Sequence, residues 1–273
     1  MDDLKKKTLQ GLLYLGIGKG AAKFVSFGTT LVLARLLSPQ DYGLMALVMV
    51  VQGFLEFFNE IGLGSAIKQR PEVTPAQLNG SFTLSLLISC ALFGLVLVAA
   101  PAVGSYYENP ALTPVLRLVA LSFIIGAVAT VPDALLARAM QFKLVAAIEF
   151  VMILLQSGTT LLLAWLGHGV WALAWGFILA QAFKALCIVY FGQWRPTRLG
   201  DVRAALDLIR FGLTVTYSRL TWFLYSNAQT LVIGKTLNAQ ALGVYAMADS
   251  LASLPTGHVT GMVIRVASPL FAK

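Results

Sequence analysis

The sequence predicts an all-α integral membrane protein with about eight transmembrane helices: one six-helix bundle, then the first two helices of a second. Three observations carry the prediction. Hydrophobic residues make up 58% of the 273 and charged residues only 12%, against roughly half and about a quarter in soluble domains. Apolar runs long enough to cross a bilayer recur along the whole chain. One polar step, RLLSPQDYGLMAL at 35–47, returns as KTLNAQALGVYAM at 235–247.

A membrane-crossing helix needs about 20 mostly apolar residues. Runs of that kind lie near 10–34, 42–66, 80–102, 114–133, 143–166, 169–192, 207–233 and 240–268. They are continuous and rich in Leu and Ala, which favours helices over the short alternating strands of a barrel. The first run follows Lys5, Lys6 and Lys7, as a signal peptide's apolar region would. It continues far beyond the length of such a region, so it reads as a retained first span.

Charge placement orients these spans. Lys68 and Arg70 follow the second span, Arg138 and Lys143 separate the fourth from the fifth, and Arg195, Arg198, Arg203 and Arg210 separate the sixth from the seventh. The alternate loops are nearly free of Lys and Arg: SYYENPALT and GHGV carry none, and the two polar steps one each. This positive-inside pattern predicts a cytoplasmic N-terminus in a multi-pass protein. It also accounts for the formal net charge of +8 without nucleic acid as a partner. Most loops are short, which leaves no room for a sizeable extramembrane domain. Cys90 and Cys187 lie within apolar runs and read as buried small hydrophobes. No Walker loop, GxSxG, HExxH or metal-spaced cluster is present, so no enzyme, metal or cofactor is expected.

The echo is a repeat with an offset of 200 positions. Ser26, Thr30, Leu31, Val32, Leu37, Gln40, Gly43 and Ala46 meet identical residues at Ser226, Thr230, Leu231, Val232, Leu237, Gln240, Gly243 and Ala246. An even number of spans separates the copies, so both enter the membrane with the same polarity, as parallel transporter repeats do. Residues 1–200 are then a first six-helix lobe. Residues 201–273 begin a second, which is expected to lack most of its helices.

Intramembrane charges are costly, about 2.5–3.5 kcal/mol at a helix centre on insertion scales, so each needs a reason. Lys19 and Lys23 share one face of the first span; Glu56 and Glu60 share one face of the second, with Gln52 and Asn59 nearby. Antiparallel spans bring the two sets to similar depths. Under the repeat, Lys19 falls on Arg219. Two cations facing a cleft from opposite lobes would suit a lipid-linked phosphate or pyrophosphate. Alternatively, Lys19 and Lys23 neutralise Glu56 and Glu60 while Arg219 snorkels. Asp249 could pair with Arg219 or carry a coupling proton. Glu149 and Lys184 read as an ion pair within the lobe, and Asp133 and Arg138 as interfacial. His168 reads as a solvated turn residue and Trp165, Trp171, Trp175 and Trp194 as an aromatic belt.

Three stretches carry a family resemblance: ARLLSPQDYGLMALV after the first span, EIGLGSAIKQR closing the second, and PDALLARAMQFKLVAAIEF between the fourth and fifth. With these, the chain resembles bacterial polysaccharide exporters, the Wzx-type and colanic-acid-exporter-like flippases of the multidrug/oligosaccharidyl-lipid/polysaccharide superfamily. The resemblance implies two six-helix bundles around a cavity lined by the first two helices of each. Lys19, Lys23, Glu56, Arg219 and Asp249 then become cavity candidates. It implies an undecaprenyl-pyrophosphate-linked oligosaccharide as substrate, moved across the inner membrane by alternating access. Membrane lipids and polysaccharide polymerase machinery would be partners. The other readings are a drug/cation antiporter of the same superfamily, an inactive fragment or membrane scaffold, and a membrane-embedded transferase.

Overall fold

The computed structural model describes residues 20, 22–60, 63–70, 72–192, 194–195, 200–250 and 252. They form helix α1 (22–36), α2 (Pro39–Glu60), α3 (Leu63–Gln69), α4 (Pro75–Tyr106), α5 (Leu112–Val119), α6 (Leu121–Arg138), α7 (Phe142–Trp165), α8 (Val170–Phe191), α9 (Arg203–Thr236) and α10 (239–250). There is no strand among the described residues. Five helical segments are long and apolar enough to cross a membrane: Pro39–Asn59, Pro75–Tyr106, Leu112–Arg138, Lys143–Trp165 and Val170–Phe191. They match the second to sixth expected spans. Much of the first and eighth lies outside the described residues, and α9 runs helically through the seventh.

The bundle wears its apolar side chains outward. Val98, Phe24 and Trp165 are 81%, 80% and 74% exposed, an arrangement that water would penalise and lipid tails would not. Inside, Leu47, Val48, Leu112, Phe123 and Leu242 build one buried cluster. Leu63, Ile67, Phe82 and Val131 build another towards the basic end.

Helix starts follow local chemistry. In the first polar step, Ser38 Oγ accepts the Asp41 N–H at 3.2 Å, while Asp41 Oδ2 accepts the Ser38 N–H at 3.0 Å and its hydroxyl at 2.6 Å. Pro39 fills the first helical position, where no N–H is needed. In the second step Asn238 Oδ1 accepts the Ala241 N–H at 2.9 Å, the same cap 200 positions later. Helix α4 opens with a reciprocal cap between Thr74 and Gln77 followed by Pro75. It therefore begins and ends well outside the expected 80–102, because the interfacial residues PAQLN and GSY are helical too. Within the expected span 42–66 the described residues lie in α2 and α3. The α7–α8 turn needs positive φ at Gly167 (+82°) and Gly169 (+54°). It docks on the first step, since Asp41 Oδ1 accepts the Val170 N–H at 2.9 Å.

Candidate functional site

Gln52, Glu56 and Asn59 stand on one face of α2 at helical spacing. Gln52 Nε2 donates to Glu56 Oε2 at 3.0 Å, and Asn59 Nδ2 lies 3.5 Å from Glu56 Oε1. Asn59 is 6% exposed, and its Oδ1 accepts a hydrogen bond from the Ser89 hydroxyl of α4. Gln52 and Glu56 line a polar cavity of about 450 Å³ between α2, α3, α6 and α8, together with Lys68, Asp133, Gln181 and Lys184. The Ser122 hydroxyl, buried without a protein partner, also faces it. This is an interior able to hydrogen-bond polar groups within a bundle whose outer surface is apolar.

At the basic end of that cavity, cations join α3 to α6. Lys68 Nζ pairs with Asp133 Oδ2 at 3.2 Å across α3 and α6. Arg138 Nη1 donates to the carbonyls of Ile67 (3.3 Å) and Arg70 (2.9 Å), satisfying the open end of α3. Asp133 and Arg138 are thus bonded across helices rather than merely interfacial.

The residues singled out in the sequence divide accordingly. Gln52, Glu56 and Asn59 come together as one network. Lys23 is exposed on α1 and makes no ion pair among the described residues. Lys19 lies outside the described residues, as do the side chains of Glu60 and Arg219, so the cross-helix pairing and the paired-cation geometry lie there too. Asp249 is exposed on α10. Among the described residues no ion pair joins Glu149 to Lys184. Lys184 faces the polar cavity instead, and Glu149 does not line it. Ser89, Ser122 and Gln181 join the site without having been singled out by pattern. Only Gln181 carries a signal in the sequence, as an amide three positions before Lys184 on one helix face.

Helices α9 and α10 meet the preceding bundle along α2. A Cβ on Gly43 would overlap the Ala239 carbonyl oxygen, and one on Gly243 would overlap the Pro39 carbonyl oxygen. Gly43 and Gly243 are repeat partners, and so are Pro39 and Ala239. The seam continues deeper: a Cβ on Gly234 would lie 2.7 Å from Leu47 Cδ2, and one on Gly53 would lie 2.9 Å from Phe223 Cε2. Phe57 and Phe223 meet edge to face at 5.1 Å. Beside the seam, α2, α4 and α9 enclose an apolar groove of about 430 Å³ lined by Phe54, Val96, Phe223 and Leu231. At the sparsely charged end Lys235 Nζ donates to the Tyr106 carbonyl at 2.7 Å and to Glu108 Oε1 at 3.2 Å, and sits 4.7 Å from the Tyr106 ring centre. Burial, and secondarily the neighbouring Tyr106, pushes the Tyr107 hydroxyl above its ordinary range.

An all-helical bundle with an apolar outer surface, a polar cavity and two similar polar steps in contact defines a class of multi-pass membrane protein. The chain belongs to the polysaccharide biosynthesis protein family, whose model matches residues 32–273. It is 26% identical over 275 residues to the teichuronic acid biosynthesis protein TuaB of Bacillus subtilis, covering 100% of this chain and 57% of TuaB. It is 25% identical over 276 residues to the lipopolysaccharide biosynthesis protein WzxC of Escherichia coli, covering 99% of this chain and 55% of WzxC. The chain thus spans little more than half the length of these curated relatives. Its fold is similar to that of a multidrug resistance MATE family transporter of the MOP superfamily in an inward-facing conformation. That similarity has a TM-score of 0.62 and 18% identity, over 94% of this chain and 64% of that one.

Proposed function

We propose that this chain supplies the first lobe and the opening helices of the second lobe of a flippase. The flippase moves an undecaprenyl-pyrophosphate-linked oligosaccharide from the inner to the outer leaflet of the bacterial inner membrane by alternating access. The observation that carries the reading is the Gly43–Gly243 crossing. Equivalent helices of two parallel repeats meet face to face, as a two-lobed transporter with its site between the lobes requires. Family membership and relatives named for teichuronic acid and lipopolysaccharide biosynthesis support a glycan cargo. The fold neighbour is a multidrug resistance transporter, which, with Glu56 held inside the first lobe, supports a drug/cation antiporter of the same superfamily as the second reading.

In the flippase reading Lys19, Lys23 and Arg219 take the pyrophosphate, a dianionic group matched to cations. Gln52, Glu56, Asn59, Glu60 and Asp249 supply polar cavity contacts or ion coupling. Membrane lipids and polymerase machinery are its neighbours in the cell. The test is a strain lacking the protein, complemented with the whole protein or its Lys19→Gln/Arg219→Gln double variant. Its readouts are surface polysaccharide and the leaflet in which the lipid-linked oligosaccharide accumulates. Wild type should restore export and the double variant should leave the precursor on the cytoplasmic side. Full export from the double variant overturns the pyrophosphate assignment. Unchanged export in the deletion strain overturns the flippase reading.

A further inference from the structure

We propose that the crossing of α2 and α10 at Gly43 and Gly243 is the gate that closes the cleft between the lobes at the sparsely charged end, with Lys235 as its latch. The proposal rests on the two-lobed transporter reading and names the parts that move.

The crossing is reciprocal. Each glycine faces the carbonyl of the residue four positions before its repeat partner, Gly43 against Ala239 and Gly243 against Pro39. A local two-fold axis therefore passes between them, and the contact is backbone on backbone. At the two glycines such surfaces approach closely with no side chain between them, so opening there has only the neighbouring Leu242 to withdraw from its buried place beside Leu47. Each helix is also capped independently of the other, α2 by Ser38 and Asp41 and α10 by Asn238. Parting the lobes leaves neither first turn unsatisfied.

The latch is asymmetric. Lys235 reaches from the end of α9 to the α4–α5 turn of the first lobe. Its repeat partner Arg35 is exposed and joins no ion pair among the described residues. The acceptor is placed at some conformational expense. Glu108 sits at φ +54° just beyond α4, with its N–H on Ser105 O and the next N–H on Gly104 O. Glycine is the usual occupant of that left-handed position. The carboxylate of Glu108 at that position is the one Lys235 reaches.

The experiment uses the whole protein in membranes, with Cys90, Cys187 and any other cysteine replaced and spin labels at Gln40→Cys and Gln240→Cys. These positions are exposed repeat partners flanking the crossing. Pulsed-dipolar distances should show a short population that Gly43→Val and Gly243→Val each convert largely to a longer one. Glu108→Gly keeps the turn and removes the carboxylate, so it should shift a smaller fraction the same way. Gly28→Val, which has no atom within 4 Å of its added Cβ, should change nothing. An unchanged distribution in both valine variants, or in Glu108→Gly if the valine variants do not fold, overturns the gate. Surface polysaccharide is measured in parallel. Lengthened distances with export unaffected overturn the gate while leaving the transport reading to the deletion strain; lost export with unchanged distances likewise overturns the gate and leaves the transport reading standing.

Discussion

Asp41 and Val170, 129 residues apart in sequence, share a hydrogen bond in which one carboxylate serves two helices. Asp41 Oδ1 accepts the Val170 N–H at the start of α8, at 2.9 Å, while Oδ2 holds Ser38 at the start of α2. Anionic oxygens at helix N-termini also complement the helix dipole. Asp41→Ala is expected to destabilise the solubilised whole protein by about 1–2 kcal/mol, the scale of a lost cap with a stranded donor. Asp41→Asn should lose less, because one amide oxygen remains. Chemical unfolding in detergent micelles checks both.

Gly176 and Gly158 make a contrasting pair on α8 and α7. A Cβ on Gly176 would overlap Thr160 Oγ1, whereas Gly158 has nothing within 4 Å. Gly176→Ala should therefore destabilise the α7–α8 hairpin. Gly158→Ala should be neutral or stabilising by up to about 1 kcal/mol from helix propensity. Adding Thr160→Ala to Gly176→Ala should recover part of the loss, and a double-mutant cycle on thermal unfolding reads that coupling directly.

Glu56 is the acceptor on which the α2 network converges. Glu56→Leu leaves the Gln52 amide without its acceptor inside the bundle, at a cost of about 1–3 kcal/mol. Ser89→Ala removes one interhelical hydrogen bond, of a kind that averages about 0.6 kcal/mol in membrane bundles. The glutamate variant is thus expected to be clearly less stable than the serine variant. Equal losses would mean that Asn59, not Glu56, organises the site.

How far the sequence can be read depends on whether an interaction is local. The caps at Ser38 and Asn238, the repeat that pairs Gly43 with Gly243, and the face shared by Gln52, Glu56 and Asn59 are all properties of short segments. Residue type and spacing alone make them legible. The Lys68–Asp133 clasp, the Ser89 contact and the turn of Lys184 towards the polar cavity depend on which helices become neighbours. Apolar runs of nearly uniform composition carry no such signal. Glu149 and Lys184 therefore look like partners in the sequence only because both are charged and lie in adjacent spans. Span ends escape a hydropathy reading because polar interfacial residues such as Gln77 and Asn79 continue a helix as well as apolar ones do.

The most direct test of the transport claim is leaflet translocation by the purified whole protein. It is reconstituted into vesicles carrying a fluorescent undecaprenyl-pyrophosphate-linked oligosaccharide on one leaflet, and access to an impermeant glycosidase is followed with time. Labelled substrate is expected to cross to the opposite leaflet faster than in protein-free vesicles, and the Lys19→Gln/Arg219→Gln variant to slow it. A rate equal to that of protein-free vesicles would contradict the flippase reading.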